Sequence, residues 1–190
     1  FKLDIRDARI LMELDQLYKR LNRPHADRLD LLDKLKEVAF SRDDLYLEYV
    51  TLLNQLGRYE EAIHMIDARR FHPWEGGEGN VPAQYQLASV ELVKACLKAG
   101  ENEKALFLIE ECFIYPYNLG EGKLYGAQEN DFNYYKACAL QALGREAEAR
   151  ELFLAASTGN SQPAAAMYYN DQKPDKIFYQ GLAFRKLGRE

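Results

Sequence analysis

Excess positive charge, paired cysteines and long apolar runs are all missing from this chain, and each absence removes a class of function. Its 190 residues carry 25 Lys plus Arg against 30 Asp plus Glu, a formal net charge of -5. Without a summed positive potential to release phosphate counterions, non-specific nucleic-acid binding is not expected. No apolar stretch approaches the ~20 residues needed to cross a bilayer, and the opening FKLDIRDAR is charged and helical in pattern rather than a signal peptide. No membrane partner is therefore expected, and a cytoplasmic location is the default. Three cysteines, Cys96, Cys112 and Cys138, are too few and too spread for a disulfide framework or a four-ligand zinc site; they read as small buried hydrophobes. What the chain does have is 47% hydrophobic residues with 13 Tyr, 9 Phe and a single Trp, enough apolar and aromatic surface for a folded core.

A short signature recurs four times, as Leu56-Gly57-Arg58, Ala99-Gly100-Glu101, Leu143-Gly144-Arg145 and Leu187-Gly188-Arg189, with the glycines 43, 44 and 44 residues apart. Each Gly ends a helical pattern, where a left-handed cap favours a residue without a β-carbon. Upstream of Gly57, Leu45, Tyr49, Leu52, Leu53 and Leu56 form an amphipathic stripe; downstream, Ala62, Ile63, Met65 and Ile66 begin a second. Two helices joined by so short a turn pack antiparallel, and the Ala five residues past each Gly (Ala62, Ala105, Ala149) lets their axes approach. Leu21-Asn22-Arg23 stands where an earlier, degenerate turn is expected, followed by a stripe of Leu29, Leu32, Leu35 and Val38, and Ser41-x-x-Asp44 reads as a capping-box variant opening the next helix.

A helix pair closed by Gly-x-Tyr-x-x-Ala, as in Gly57-Arg58-Tyr59-Glu60-Glu61-Ala62, resembles the tetratricopeptide repeat (TPR). Ala105, Ile109, Cys112 and Pro116 take the corresponding places in one later unit and Ala149, Phe153 and Ala156 in another, although Asn102 and Glu146 replace the aromatic. The resemblance implies an all-α, right-handed α-α superhelix, a TPR-like solenoid of about four and a half helical hairpins with enlarged inter-repeat loops. Units are expected near 4–40, 43–73, 83–116, 130–160 and 174–190, forming one repeat domain over 1–190. The last unit supplies only its first helix, so the chain reads as a fragment of a longer protein.

A TPR unit is ~34 residues long, and a period near 44 leaves about ten extra residues per repeat. Two of the insertions are alike: His72-Pro73-Trp74-Glu75-Gly76-Gly77-Glu78-Gly79 beside Tyr115-Pro116-Tyr117-Asn118-Leu119-Gly120-Glu121-Gly122. Stacked repeats would align them as a ledge bearing Trp74, Tyr117 and Tyr168 with Glu78 and Glu121, able to stack on sugar rings or anchor a protein; the same composition also suits loops that pack on themselves. Gly76-Gly77-Glu78-Gly79 lacks the Lys-Ser/Thr of a phosphate loop, and no paired His spacing supports a metal, so no cofactor, no metal and no catalytic residue is expected.

In TPR proteins the first helix of each pair lines the concave surface. Carried onto this chain, that register places Asn54, Lys94, Lys98, Gln141 and Arg185 in a basic, amide-rich groove suited to an acidic peptide. It does not match the carboxylate clamp of chaperone-binding TPR proteins. The expected function is a non-catalytic TPR scaffold for protein–protein or interdomain binding, not an enzyme, with partners that include other domains of the same chain. The His72-to-Gly79 stretch is also similar to the helical C-terminal part of a large uncharacterised bacterial family with β-rich N-terminal domains. That similarity implies the alternative, a carbohydrate-binding accessory module of a larger sugar-processing protein.

Overall fold

The computed structural model describes residues 6–164 and 171–189, and among these every regular element is helical, with no strand. Tyr168 and its neighbour Tyr169 lie outside the described residues. How the helices end accounts for much of the architecture. At Gly57 the Arg58 N–H donates to Leu53 O (2.9 Å) and the Gly57 N–H to Asn54 O (3.0 Å), the two crossed bonds of a Schellman cap. The same pair closes the helices before Gly100, Gly144 and Gly188, and all four glycines have φ between +70° and +79°. A β-carbon in that region costs about 1–2 kcal/mol. The degenerate turn reaches the same geometry with Asn22, at φ +52°, where Arg23 N–H donates to Tyr18 O and Asn22 N–H to Lys19 O.

The chain divides into two compact units. The first, Phe1–Ala88 with Tyr117–Glu121, contains α1 (Ala8–Arg20), α2 (His25–Lys34), α3 (Lys36–Ala39), α4 (Asp43–Gln55), α5 (Tyr59–Asp67), the start of α6 (Asn80–Ala99) and a 3-10 turn at Tyr117–Leu119. Helix α4 is its axis: Leu45 through Val50 and Leu52 through Asn54 are all buried, and α1, α2, α3 and α5 pack around it. A helix enclosed on so many sides must be apolar nearly all round, which is why its sequence reads LYLEYVTLL. Ala62, five residues past Gly57, is fully buried, as are Leu52 and Ile66.

The second unit, Ser89–Pro116 with Gly122–Glu190, holds the rest of α6, then α7 (Asn102–Cys112), α8 (Asn130–Ala142), α9 (Glu146–Ala156) and α10 (Pro174–Lys186). Val93 and Cys96 of α6 join Ala105, Ile109 and Cys112 of α7 and Phe132 and Ala139 of α8 in one cluster. Ala137 and Leu140 of α8 join Ala149, Phe153 and Ala156 of α9 and Ala183 of α10 in the next. Cys96 and Cys112 are buried and Cys138 half-buried, all three free thiols; burial pushes Cys112 up to about 12.

Three local expectations need correction. Ser41 and Asp44 do not form a capping box, because the helix begins one residue later with Arg42 as N-cap; the Ser41 hydroxyl instead donates to Val38 O at 2.7 Å, closing α3. The stripe through Leu29, Leu32, Leu35 and Val38 is not one helix: the backbone breaks at Leu35 (φ -116°, ψ 32°), separating α2 from α3. Leu56 is exposed, since it sits at the cap, where the chain leaves the packed face.

A buried charge cluster escaped the sequence reading. Arg28, only 1% exposed, donates to both carboxylate oxygens of Asp15 (2.9 and 2.7 Å) and to Glu48 (2.5 Å), and Lys19 reaches Glu48 from the surface at 3.0 Å. Burial alone would lower the Arg28 pKa, but the hydrogen bonds and charges of Asp15 and Glu48 outweigh it and the net shift is upward. Removing one partner of such a group strands the others in low dielectric. Arg28→Ala is therefore expected to cost about 3–5 kcal/mol in urea denaturation. A loss below ~1 kcal/mol would show that the surrounding carboxylates are solvated in the folded state.

Candidate binding surfaces

The two sets of residues expected to bind fall in different surroundings. Around the first insertion, Asp43 at the start of α4 organises the chain that follows α5. Its Oδ1 accepts from Arg69 Nε at 2.6 Å, and its Oδ2 accepts the His72 backbone N–H at 2.9 Å and lies 3.2 Å from His72 Nδ1. Burial pushes this carboxyl up, but the bonds from His72 and Arg69 outweigh it and hold Asp43 below the usual carboxylate range. Arg69 also lies over the Tyr46 ring, 4.4 Å from its centroid, and donates to Phe40 O. The segment leaving α5 is thus tied to α4 by one carboxylate and one guanidinium.

The start of the second insertion is fixed to the same place. Phe71 N–H donates to Asn118 O (2.8 Å), and the Asn118 amide donates to Ile66 O in the last turn of α5 and to Arg69 O just beyond it (2.9 and 3.2 Å). Gly120 lies so close to Phe71 that a β-carbon would fall 2.6 Å from its carbonyl oxygen. Glu121 accepts the Gly79 N–H at 2.8 Å, so this carboxylate joins the two insertions. Tyr117 is 80% exposed, with Arg70 over its ring at 4.8 Å and donating to its hydroxyl at 2.8 Å. Glu78 is exposed. Trp74 is half-buried, its indole resting on Gly77, where a β-carbon would come within 2.1 Å of Cε2. The indole, the start of α4 and the residues after α5 border a pocket of about 470 Å³, lined by Ser41, Arg42, Asp43, Asp44, Arg69, Arg70, His72, Pro73 and Trp74.

The groove positions diverge. Asn54, in the first unit, is 4% exposed and its amide donates to Gln84 O and Oε1 (3.1 and 2.9 Å). The others lie in the second unit. Lys94 donates to Glu91 at 2.6 Å, and Gln141 Oε1 accepts from Lys186 Nζ at 2.8 Å. Lys98 and Arg185 are exposed and, among the described residues, have no carboxylate partner. No family model matches the chain, and no solved structure matches it.

The second unit also carries an aromatic cluster that the sequence reading did not single out. Tyr134 and Tyr135 of α8 meet Tyr179 of α10 with centroids 5.7 and 5.4 Å apart, and the Tyr135 and Tyr179 hydroxyls are 3.1 Å apart. Burial raises Tyr134 to about 12 and pushes Tyr135 and Tyr179 up as well, so all three stay protonated at neutral pH. Phe178, 61% exposed, packs edge-on against Tyr179. The signal was present: Tyr135 and Tyr179 are 44 residues apart, one repeat length.

The Asp43 contacts give a signed pH prediction. A carboxylate held below its unfolded value stabilises the fold above about pH 4, and that stabilisation is lost as pH falls through the lower folded value. Emission from the single tryptophan, Trp74, is expected to shift on acidification below about pH 4. In Asp43→Asn the neutral-pH spectrum should already be shifted and that acid step absent; an unchanged acid step would remove Asp43 as its cause.

Proposed function

We propose that this chain is a non-catalytic helical-repeat module of the TPR type that binds an acidic, aromatic-containing peptide or protein segment on the face shared by the α8 and α10 helices and the end of α6. The observation that carries the reading is the combination on α10 of Phe178, largely exposed, and Arg185, exposed and without a carboxylate partner among the described residues, beside the Tyr134–Tyr135–Tyr179 cluster. Exposed aromatics that are already oriented by neighbouring rings lose little entropy on binding, and the adjacent cations select a partner of opposite charge. The caps of one geometry support the TPR-type reading, because those at Asn22, Gly57, Gly100 and Gly144 each set a short turn between two consecutive helices.

The cations surround the rings from three helices. Lys94 of α6 acts on Tyr179, Arg185 of α10 on Tyr134, and Lys186 lies 5.7 Å from the Phe153 ring while bonded to Gln141 of α8. A carboxylate arriving here gains from Arg185, which has no carboxylate partner among the described residues, at a surface where salt screens strongly. Partner segments rich in Asp and Glu with one or two aromatic anchors fit best; a segment of another domain meets the requirement as well as a separate protein.

A peptide array of acidic, neutral and basic 12-residue segments, each with and without one Phe or Tyr, tests this directly. Retention is expected to concentrate on acidic, aromatic-containing peptides. In solution, their affinity should fall about tenfold when Lys98 and Arg185 are both reversed to Glu, and fall further as salt is raised. Salt-independent binding, or equal retention of neutral peptides, would overturn the proposal.

A further inference from the structure

The pocket of about 470 Å³ in the first unit has a composition that the peptide-binding face does not share, and its reading is independent of that face. Trp74 contributes to one wall, and its indole is held by its contact with Gly77. The remaining polar side chains already have partners. Arg42 clasps Asp44 through two bonds (3.0 and 2.6 Å), Asp43 is held by Arg69 and the His72 backbone, and Arg70 is stacked on Tyr117. Side chains fixed in this way lose little freedom when a ligand arrives.

We infer that this pocket binds a saccharide ring, its apolar face against Trp74 and its hydroxyls against Arg42, Asp44, Arg70 and His72. The argument is one of matching capacities. A hydroxyl donates one hydrogen bond and accepts others, guanidinium only donates, and carboxylate only accepts. Arg42 and Asp44 side by side therefore present a donor and an acceptor to neighbouring hydroxyls. An inorganic anion would use the guanidiniums but meet repulsion from Asp43 and Asp44, and a purely apolar ligand would strip water from charged groups without replacing its hydrogen bonds. Among the described residues no cluster of three His, Cys, Asp or Glu side chains is placed to hold a metal, so the carboxylates are read as acceptors for hydroxyls. An indole, with an apolar face and one N–H, suits a ring that is apolar on its C–H side and polar at its rim.

The chain contains a single tryptophan, so its emission reports on this wall alone. The probes are the methyl glycosides of glucose, galactose, mannose, N-acetylglucosamine and glucuronic acid, each titrated to about 100 mM, with sodium phosphate, sodium acetate and an acidic peptide as comparisons. At least one glycoside should give a saturable shift. Gly77→Ala, whose new β-carbon displaces the indole, should weaken that binding more than about tenfold, with helical circular dichroism retained. Asp44→Asn, which keeps shape but turns an acceptor into a partial donor, and Arg70→Ala should each weaken it about tenfold, and isothermal calorimetry should agree. The inference fails if no glycoside gives a saturable shift, or if affinity is unchanged in both Gly77→Ala and Asp44→Asn. It also fails if phosphate, acetate or the peptide binds as well as the sugars, which would make this an anion or peptide site.

Discussion

The constraint on which the rest of this structure depends is a single backbone conformation, the left-handed residue that ends a helix and turns the chain back on itself. Where Gly57, Gly100, Gly144 and Gly188 adopt it, the last carbonyls of the helix find donors within two residues. At the first three of these turns the next helix begins at once. Because the turn is always of one kind, the alanine five residues on is always in the same place. Ala62, Ala105 and Ala149 are buried to within 1%, and a larger side chain there would force the paired helices apart.

From that fixed turn follows a second regularity, that residues about one period apart come to lie side by side. Tyr135 and Tyr179 share a hydroxyl contact, Lys176 reaches Asp131 at 2.5 Å beneath the Phe132 ring, and Lys186 reaches Gln141. Each pair links α8 with α10 across one repeat length. The insertions obey the same rule in the first unit, where Glu121 reaches Gly79 and Tyr117 meets Arg70. Much of the extra length beyond two helices is thus occupied in holding neighbouring segments together, which leaves Trp74 and the polar groups around it as the part of the first insertion open to a ligand.

What the sequence made legible was whatever depended on local chemistry or on the period. The caps could be read from glycine, the degenerate turn from Asn22, and the close helix approach from alanine. The Arg28 cluster could not be read, because its partners Asp15 and Glu48 lie 13 and 20 residues away, spacings that no helix face and no repeat connects. The break at Leu35 was hidden because the hydrophobic stripe continues across it. Trp74 was conspicuous by type, but its orientation depends on Gly77 lacking a β-carbon, and Asp43, which fixes the loop carrying it, is 29 residues away from His72. Tyr135 and Tyr179 were hidden in a different way: each looks like an ordinary core aromatic until the period sets them edge to face.

The peptide-binding proposal rests on that period having the register described, because a slip of one residue between α8 and α10 would separate the tyrosines and redistribute the cations around them. A nuclear Overhauser measurement between the ring protons of Tyr135 and Tyr179 in the intact chain tests the register most directly. The ring centroids stand 5.4 Å apart, so a clear cross-peak between the two rings is predicted. Its absence, with both rings assigned and the helices intact, would contradict the account.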